Sequence, residues 1–98
     1  MGKEYIQDRF GNQIYITDER WAHVCKMHPD MIGYDQQLRE TLRKGSRRQD
    51  ALDPNKFFYS KKFNNLPDLY NHVVVVVKFG YTVDEAGQQV ANNFVLTA

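Results

Sequence analysis

Five consecutive valines, Val73 to Val77, constrain this chain more than any other feature. β-Branched side chains are stiff at χ1 and pack well on a pleated surface, so the run predicts a strand. An uninterrupted apolar run suits a strand covered on both faces, which places it centrally in its sheet. With 98 residues and 42% hydrophobic content, the chain can build one core around that strand and hence one domain.

The remaining elements arrange themselves around it. Tyr5-Ile6-Gln7 and Gln13-Ile14-Tyr15-Ile16 flank Asp8 to Asn12, whose Gly-Asn pair predicts a turn between two short strands. Thr17-Asp18-Glu19-Arg20 supplies a helix cap followed by acids in the first turn, where the helix dipole favours negative charge. Trp21, Val24, Cys25 and His28 then lie on one helical face, and Pro29 ends the helix. A second helix is expected from Tyr34 or Asp35 to Lys44, capped by Asp35, with Leu38 and Leu42 inward and Gly45 as its stop. Gly45 to Lys56 reads as a loop or exposed strand, Phe57-Phe58-Tyr59 as a strand, and Asn64 to Asp68 as a turn. Asp84 to Gly87 forms another turn, after which Gln89 to Leu96 is expected to return antiparallel to the valine strand. Two strands, two helices and three or four further strands make an α+β domain, with the helices on one face of an antiparallel sheet.

Composition excludes several classes. Thirteen Lys+Arg against twelve Asp+Glu leave no global field that announces a nucleic-acid or membrane partner, although a local patch remains open. A single Cys25 supports neither an intramolecular disulfide nor a Cys-rich zinc site, and a lone thiol fits a reducing cytoplasm. No apolar stretch reaches the roughly 18 residues that a membrane span needs, and the first residues lack a signal-peptide core, so the expected location is cytoplasmic. Paired catalytic carboxylates, a nucleophile elbow, a phosphate loop and a metal-ligand cluster are all missing, so neither cofactor nor metal is expected.

The candidate chemistry is therefore histidine and cation chemistry. His23 and His28 are five residues apart, which does not stack them on one face as a metal pair. His23 lies about 200° around the helix from Trp21, beside Glu19, Arg20 and Met27, as either a surface histidine or a general acid/base. His28 reads as a structural residue at the helix end, while His72 opens the valine strand as edge solvent or site lining. Between residues 39 and 63 the cations Arg39, Arg43, Lys44, Arg47, Arg48, Lys56, Lys61 and Lys62 face only Glu40, Asp50 and Asp53. Phe57, Phe58, Tyr59 and Phe63 are interleaved with them. Cations neutralise phosphates and rings stack on unpaired bases, so Arg47, Arg48, Lys56, Lys61 and Lys62 are the expected RNA-binding set. The competing reading is an aromatic core with a solvated charged surface. Lys78, at the end of the valine strand, and Thr97, near the end of the last strand, are candidate cleft residues; both are also ordinary strand-end residues.

The series Ile14 to Val24 with Glu19-Arg20-Trp21-Ala22-His23-Val24, then His28-Pro29-Asp30, Leu38 to Leu42, Phe58-Tyr59, the valine strand with Lys78, and Phe94 to Ala98 resembles the phage-type members of the barnase/EndoU/colicin/RelE-like nuclease superfamily. The resemblance covers nearly the whole chain. It implies two N-terminal helices packed on a four-stranded antiparallel sheet, here preceded by the short hairpin. It also implies a metal-independent, toxin-like ribonuclease in which the ribose 2′-hydroxyl attacks the adjacent phosphate to give a 2′,3′-cyclic phosphate. Carried onto this chain, His23 is the acid/base, Lys78 and Arg20 stabilise the phosphate and transition state, and Tyr59 and Thr97 orient it by their hydroxyls. RNA is the implied partner, with an inhibitory antitoxin-like protein as a second. Two other readings compete: a non-catalytic module that binds RNA or a protein through the Arg47 to Phe63 surface, and a homodimer formed along the sheet edge. Geometry discriminates, because a ribonuclease needs His23 and Lys78 to converge on one cleft.

Overall fold

The computed structural model describes residues 2–64 and 72–98. Among these residues eight strands and two α-helices follow one another as β1 (Lys3–Gln7), β2 (Gln13–Thr17), α1 (Asp18–Met27), α2 (Asp35–Lys44), β3 (Ser46–Gln49), β4 (Lys56–Lys62), β5 (His72–Lys78), β6 (Tyr81–Val83), β7 (Gln89–Ala91) and β8 (Asn93–Thr97). A single 3-10 turn, Pro29–Met31, joins the helices. Six strands form one sheet in the order β1-β2-β8-β5-β4-β3, and β6 and β7 form a separate hairpin.

The α+β class is as expected, but the sheet is larger than the four strands expected and is mixed. The N-terminal hairpin is part of it: β2 pairs in parallel with β8, Ile14 opposite Asn93 and Tyr15 opposite Phe94. A lone two-stranded hairpin is marginal in water, and β8 pairs the backbone edge that β2 would otherwise leave open. The helices therefore follow two strands of the sheet they cover.

Local signals set the helix ends. The Thr17 hydroxyl accepts the Arg20 N–H at 3.1 Å, the capping bond expected from the sequence. α2 is capped by Tyr34 rather than Asp35; the Asp35 carboxylate instead meets Arg39 one turn on, at 3.1 Å. The Gly45 stop follows from close approach, since a side chain there would collide with the carbonyls of Thr41 and Ser60, where α2 meets β4. Gly11 takes φ 88° in the β1–β2 turn, a conformation that costs glycine little.

Both helices pack on the same face of the sheet. Val24, Leu38 and Leu42 meet Ile6, Ile14, Ile16, Tyr59, Val73, Val75, Val77 and Val95 in one core, with Trp21 and Tyr34 against it. His28 does not extend that stripe: it is exposed, and its backbone N–H bonds to the Val24 carbonyl as the helix cap. The valine strand is central, between β8 and β4. Among the described residues it is covered on one face only, because Val73, Val75 and Val77 are buried while Val74 is 43% exposed. In an antiparallel environment the alternation of side chains gives β5 an inner and an outer face, and the outer one carries no described helix. The expected return of Gln89 to Leu96 is split: Gln89–Ala91 pairs with β6, and only Asn93–Thr97 returns along β5. Beyond Asn64, the turn expected over Asn64 to Asp68 lies outside the described residues.

Candidate nucleic-acid interface

Side chains directly opposite one another on paired strands share a face, so the sheet register states what the helix-free face displays. One row crosses five strands: Tyr5 opposite Tyr15, Tyr15 opposite Phe94, Phe94 opposite Lys78, and Lys78 opposite Lys56. Its three rings are contiguous. Centroids of Tyr5 and Tyr15 lie 5.7 Å apart, and those of Tyr15 and Phe94 6.0 Å apart. The Lys3 ammonium sits 4.4 Å from the Tyr15 centroid, putting a cation at the β1 end of the row. A second row runs Arg48, Phe58, Val76, with the Arg48 guanidinium 4.8 Å from the Phe58 centroid; Thr97 pairs with Val76 where the β5–β8 register shifts, between Val76 and Val77. Further along, His72 stands opposite Lys62.

Two acids from the β3–β4 connection partner the cations at the far end of the first row. The Lys78 ammonium is in contact with the Asp53 carboxylate, and Lys56 lies 3.9 Å from Asp50. The hydrogen bond from Lys78, aided by the Asn55 backbone N–H, holds the Asp53 carboxyl below its usual range.

The expected RNA-binding residues divide between the two faces. Arg48, Lys56 and Lys62 share the open face with Lys78, whereas Arg47 and Lys61 are opposite Tyr59 and Val73 on the helix side. Lys61 rests 4.3 Å from the Phe63 centroid. Arg47 is drawn into a cluster around two buried groups. The Tyr59 hydroxyl donates to Asp8 Oδ2 at 2.5 Å and accepts from Arg47 at 3.4 Å, and the Arg47 guanidinium lies over the rings of Phe10 and Phe57 at 4.3 and 4.7 Å. Burial and the bond to Asp8 push the Tyr59 phenol well above its ordinary range. Burial pushes Asp8 up, but bonds from Tyr59, Asn12 and the Phe10 backbone outweigh it and hold the carboxyl below its usual value. Tyr59 is thus fully buried and committed to the core.

The catalytic set implied by the resemblance is not gathered into one place. His23 and Arg20 line a shallow hollow with Thr17 and Glu19 on α1. That helix packs on the covered face against β2 and β8, while Lys78 stands on the open face. The sheet lies between them. No group of three metal-ligating side chains occurs among the described residues, and no described helix is long and apolar enough to cross a membrane.

Sequence reasoning missed Tyr5, Tyr15 and Phe94. A local signal existed for the first two: Ile6, Ile14 and Ile16 alternate with them, so burying the isoleucines turns Tyr5 and Tyr15 outward. No family model matches the chain, and no curated protein or solved structure matches it either.

Proposed function

We propose that this domain binds single-stranded RNA across the open face of its six-stranded sheet. The observation that carries the reading is the row Tyr5–Tyr15–Phe94–Lys78–Lys56, three contiguous rings followed by two ammonium groups. Unpaired bases stack on exposed rings while cations follow the phosphates, and Lys3, Arg48 and Lys62 add charge along the same face. An aromatic core does not account for these rings, since Tyr5 is 56% exposed on a face without a described helix.

RNA binding is the part of the ribonuclease expectation that this face supports. Lys78 shares this face and supports phosphate binding there, but His23 stands across the sheet, so recognition rather than cleavage is the function the geometry favours. Fluorescence anisotropy with a labelled uridine-rich oligonucleotide tests the reading. Base–aromatic stacking amounts to about 1–3 kcal/mol per base, so Tyr15→Ala and Phe94→Ala should each weaken binding by about 5- to 150-fold with the far-UV spectrum unchanged. Equal affinity for wild type and both folded variants would contradict it.

A further inference from the structure

Beside Lys78, where β5 ends and β4 and β8 begin, a cleft of about 320 Å³ opens. The chain itself connects the cleft to the aromatic row. Phe57 follows Lys56, Phe79 follows Lys78, and Asn93 precedes Phe94, so each of these three lining residues is sequence neighbour to a member of the row.

The lining combines flat apolar surface with carboxamides. The rings of Phe57 and Phe79 pack 5.0 Å apart at 56°, braced from behind by Arg47. Asn93 is fixed in place, donating from Nδ2 to the Gln13 carbonyl at 3.0 Å and accepting from the Gly80 N–H at 3.4 Å. Asn12 donates to the buried Asp8 carboxylate at 3.1 Å. The exposed Asn55 carboxamide has no hydrogen-bond partner among the described residues, and its backbone carbonyl is held by the Phe79 N–H at 2.7 Å. Tyr81, 74% exposed, stands at the rim where the β6–β7 hairpin leaves the domain.

We infer that this cleft is a nucleobase-reading site, which takes one splayed base of the RNA whose phosphates lie on Lys78 and Lys56. A planar heterocycle with donors and acceptors on its edge matches aromatic walls and a free carboxamide, which supplies both one acceptor and two donors. The volume is at the low end of the roughly 300–1,000 Å³ range of ligand pockets, which suits a single nucleoside rather than a larger ligand. In this division of labour the open face binds any sequence by stacking and charge. The cleft selects the base, with the Asn55 carboxamide as the group that reads its edge and Tyr81 as the ring that covers it.

This inference rests on the RNA-binding reading, so its test separates the two. The full chain is titrated with uridine oligonucleotides of about eight nucleotides, plain or carrying a single adenosine, cytidine or guanosine, and separately with the four ribonucleoside 5′-monophosphates. Wild type should rank the four oligonucleotides over at least a fivefold range. Asn55→Ala and Tyr81→Ala, both at exposed positions, should each collapse that range to within about twofold with the far-UV spectrum unchanged. The preferred monophosphate should shift the carboxamide NMR signals of Asn12, Asn55 and Asn93. A ranking that persists in both variants, or its absence in wild type while oligouridine still binds, overturns the cleft and leaves the open-face reading standing. Monophosphate shifts at those carboxamides without oligonucleotide binding would overturn the open-face reading and, with it, the inference that the cleft reads a base of RNA.

Discussion

Removing one oxygen, by Tyr59→Phe, deletes the bond that ties β4 to the first turn, together with the 3.4 Å bond that the hydroxyl accepts from Arg47. The Tyr59 hydroxyl donates at 2.5 Å to Asp8, whose side chain is fully buried. Without it the carboxylate keeps the backbone N–H groups of Asn12 and Phe10 at 2.8 and 2.9 Å and the Asn12 side chain at 3.1 Å. Hydrogen bonds to charged groups contribute about 1.5–3 kcal/mol, so a loss near 2 kcal/mol is expected. For a domain of this size that lowers Tm by about 8–16 °C. The pH dependence adds a sharper signature. The folded phenol titrates above its ordinary value of 10.0, so its contribution is complete below pH 10.0 and lost as pH rises through the folded value. Asp8 has the opposite sign: its carboxyl is depressed below 3.8, so its contribution is present above that pH and fades as pH falls toward the folded value. Thermal melts followed by circular dichroism from acid to alkaline pH should therefore show the wild-type advantage over Tyr59→Phe greatest between these limits and shrinking beyond each. A Tm change under about 2 °C at neutral pH, or a difference independent of pH, refutes the reasoning.

Other outcomes follow from the same geometry. Five cations line the open face, Lys3, Arg48, Lys56, Lys62 and Lys78, so the logarithm of RNA affinity should fall with log[salt] at a slope of about −2 to −3.5, depending on whether three or all five meet phosphates; anisotropy titrations between low and physiological salt measure it. Asp53→Asn should raise RNA affinity by about two- to fivefold in the same assay, because it frees Lys78 from its carboxylate partner. His23→Ala, on an exposed position of α1, should change neither RNA affinity nor stability beyond about 0.5 kcal/mol, and in EDTA it should yield the same RNA products as wild type; cyclic-phosphate ends made by wild type and lost in the variant would restore the ribonuclease reading.

What the sequence made legible was local. The Thr17 cap and the Asp8–Asn12 turn each depend on residues a few positions apart, and both appear where expected. The valine run showed a strand but not how many of its faces are covered, because a continuous apolar run looks the same whether Val74 and Val76 meet a helix or water. The parallel pairing of β2 with β8 joins Tyr15 to Phe94, across almost the entire chain, and no local pattern announces it. The open-face row depends on that pairing, which is why two of its rings were visible only as alternation and the third not at all. Parity also explains the division of the basic cluster. Lys61 and Lys62 are adjacent, yet adjacent strand residues face opposite ways, and the same rule separates Arg47 from Arg48. His23 and Lys78 were joined only by resemblance, and the sheet that parts them is a tertiary feature.

The location of bound RNA tests the central claim most directly. Backbone and side-chain NMR shifts of the full chain, followed through a titration with oligouridine, should concentrate on Tyr5, Tyr15, Phe94, Lys78 and Arg48. The α1 surface around Arg20 and His23 should stay unperturbed. Shifts centred on α1, with the open-face rings unchanged at saturation, would contradict the account.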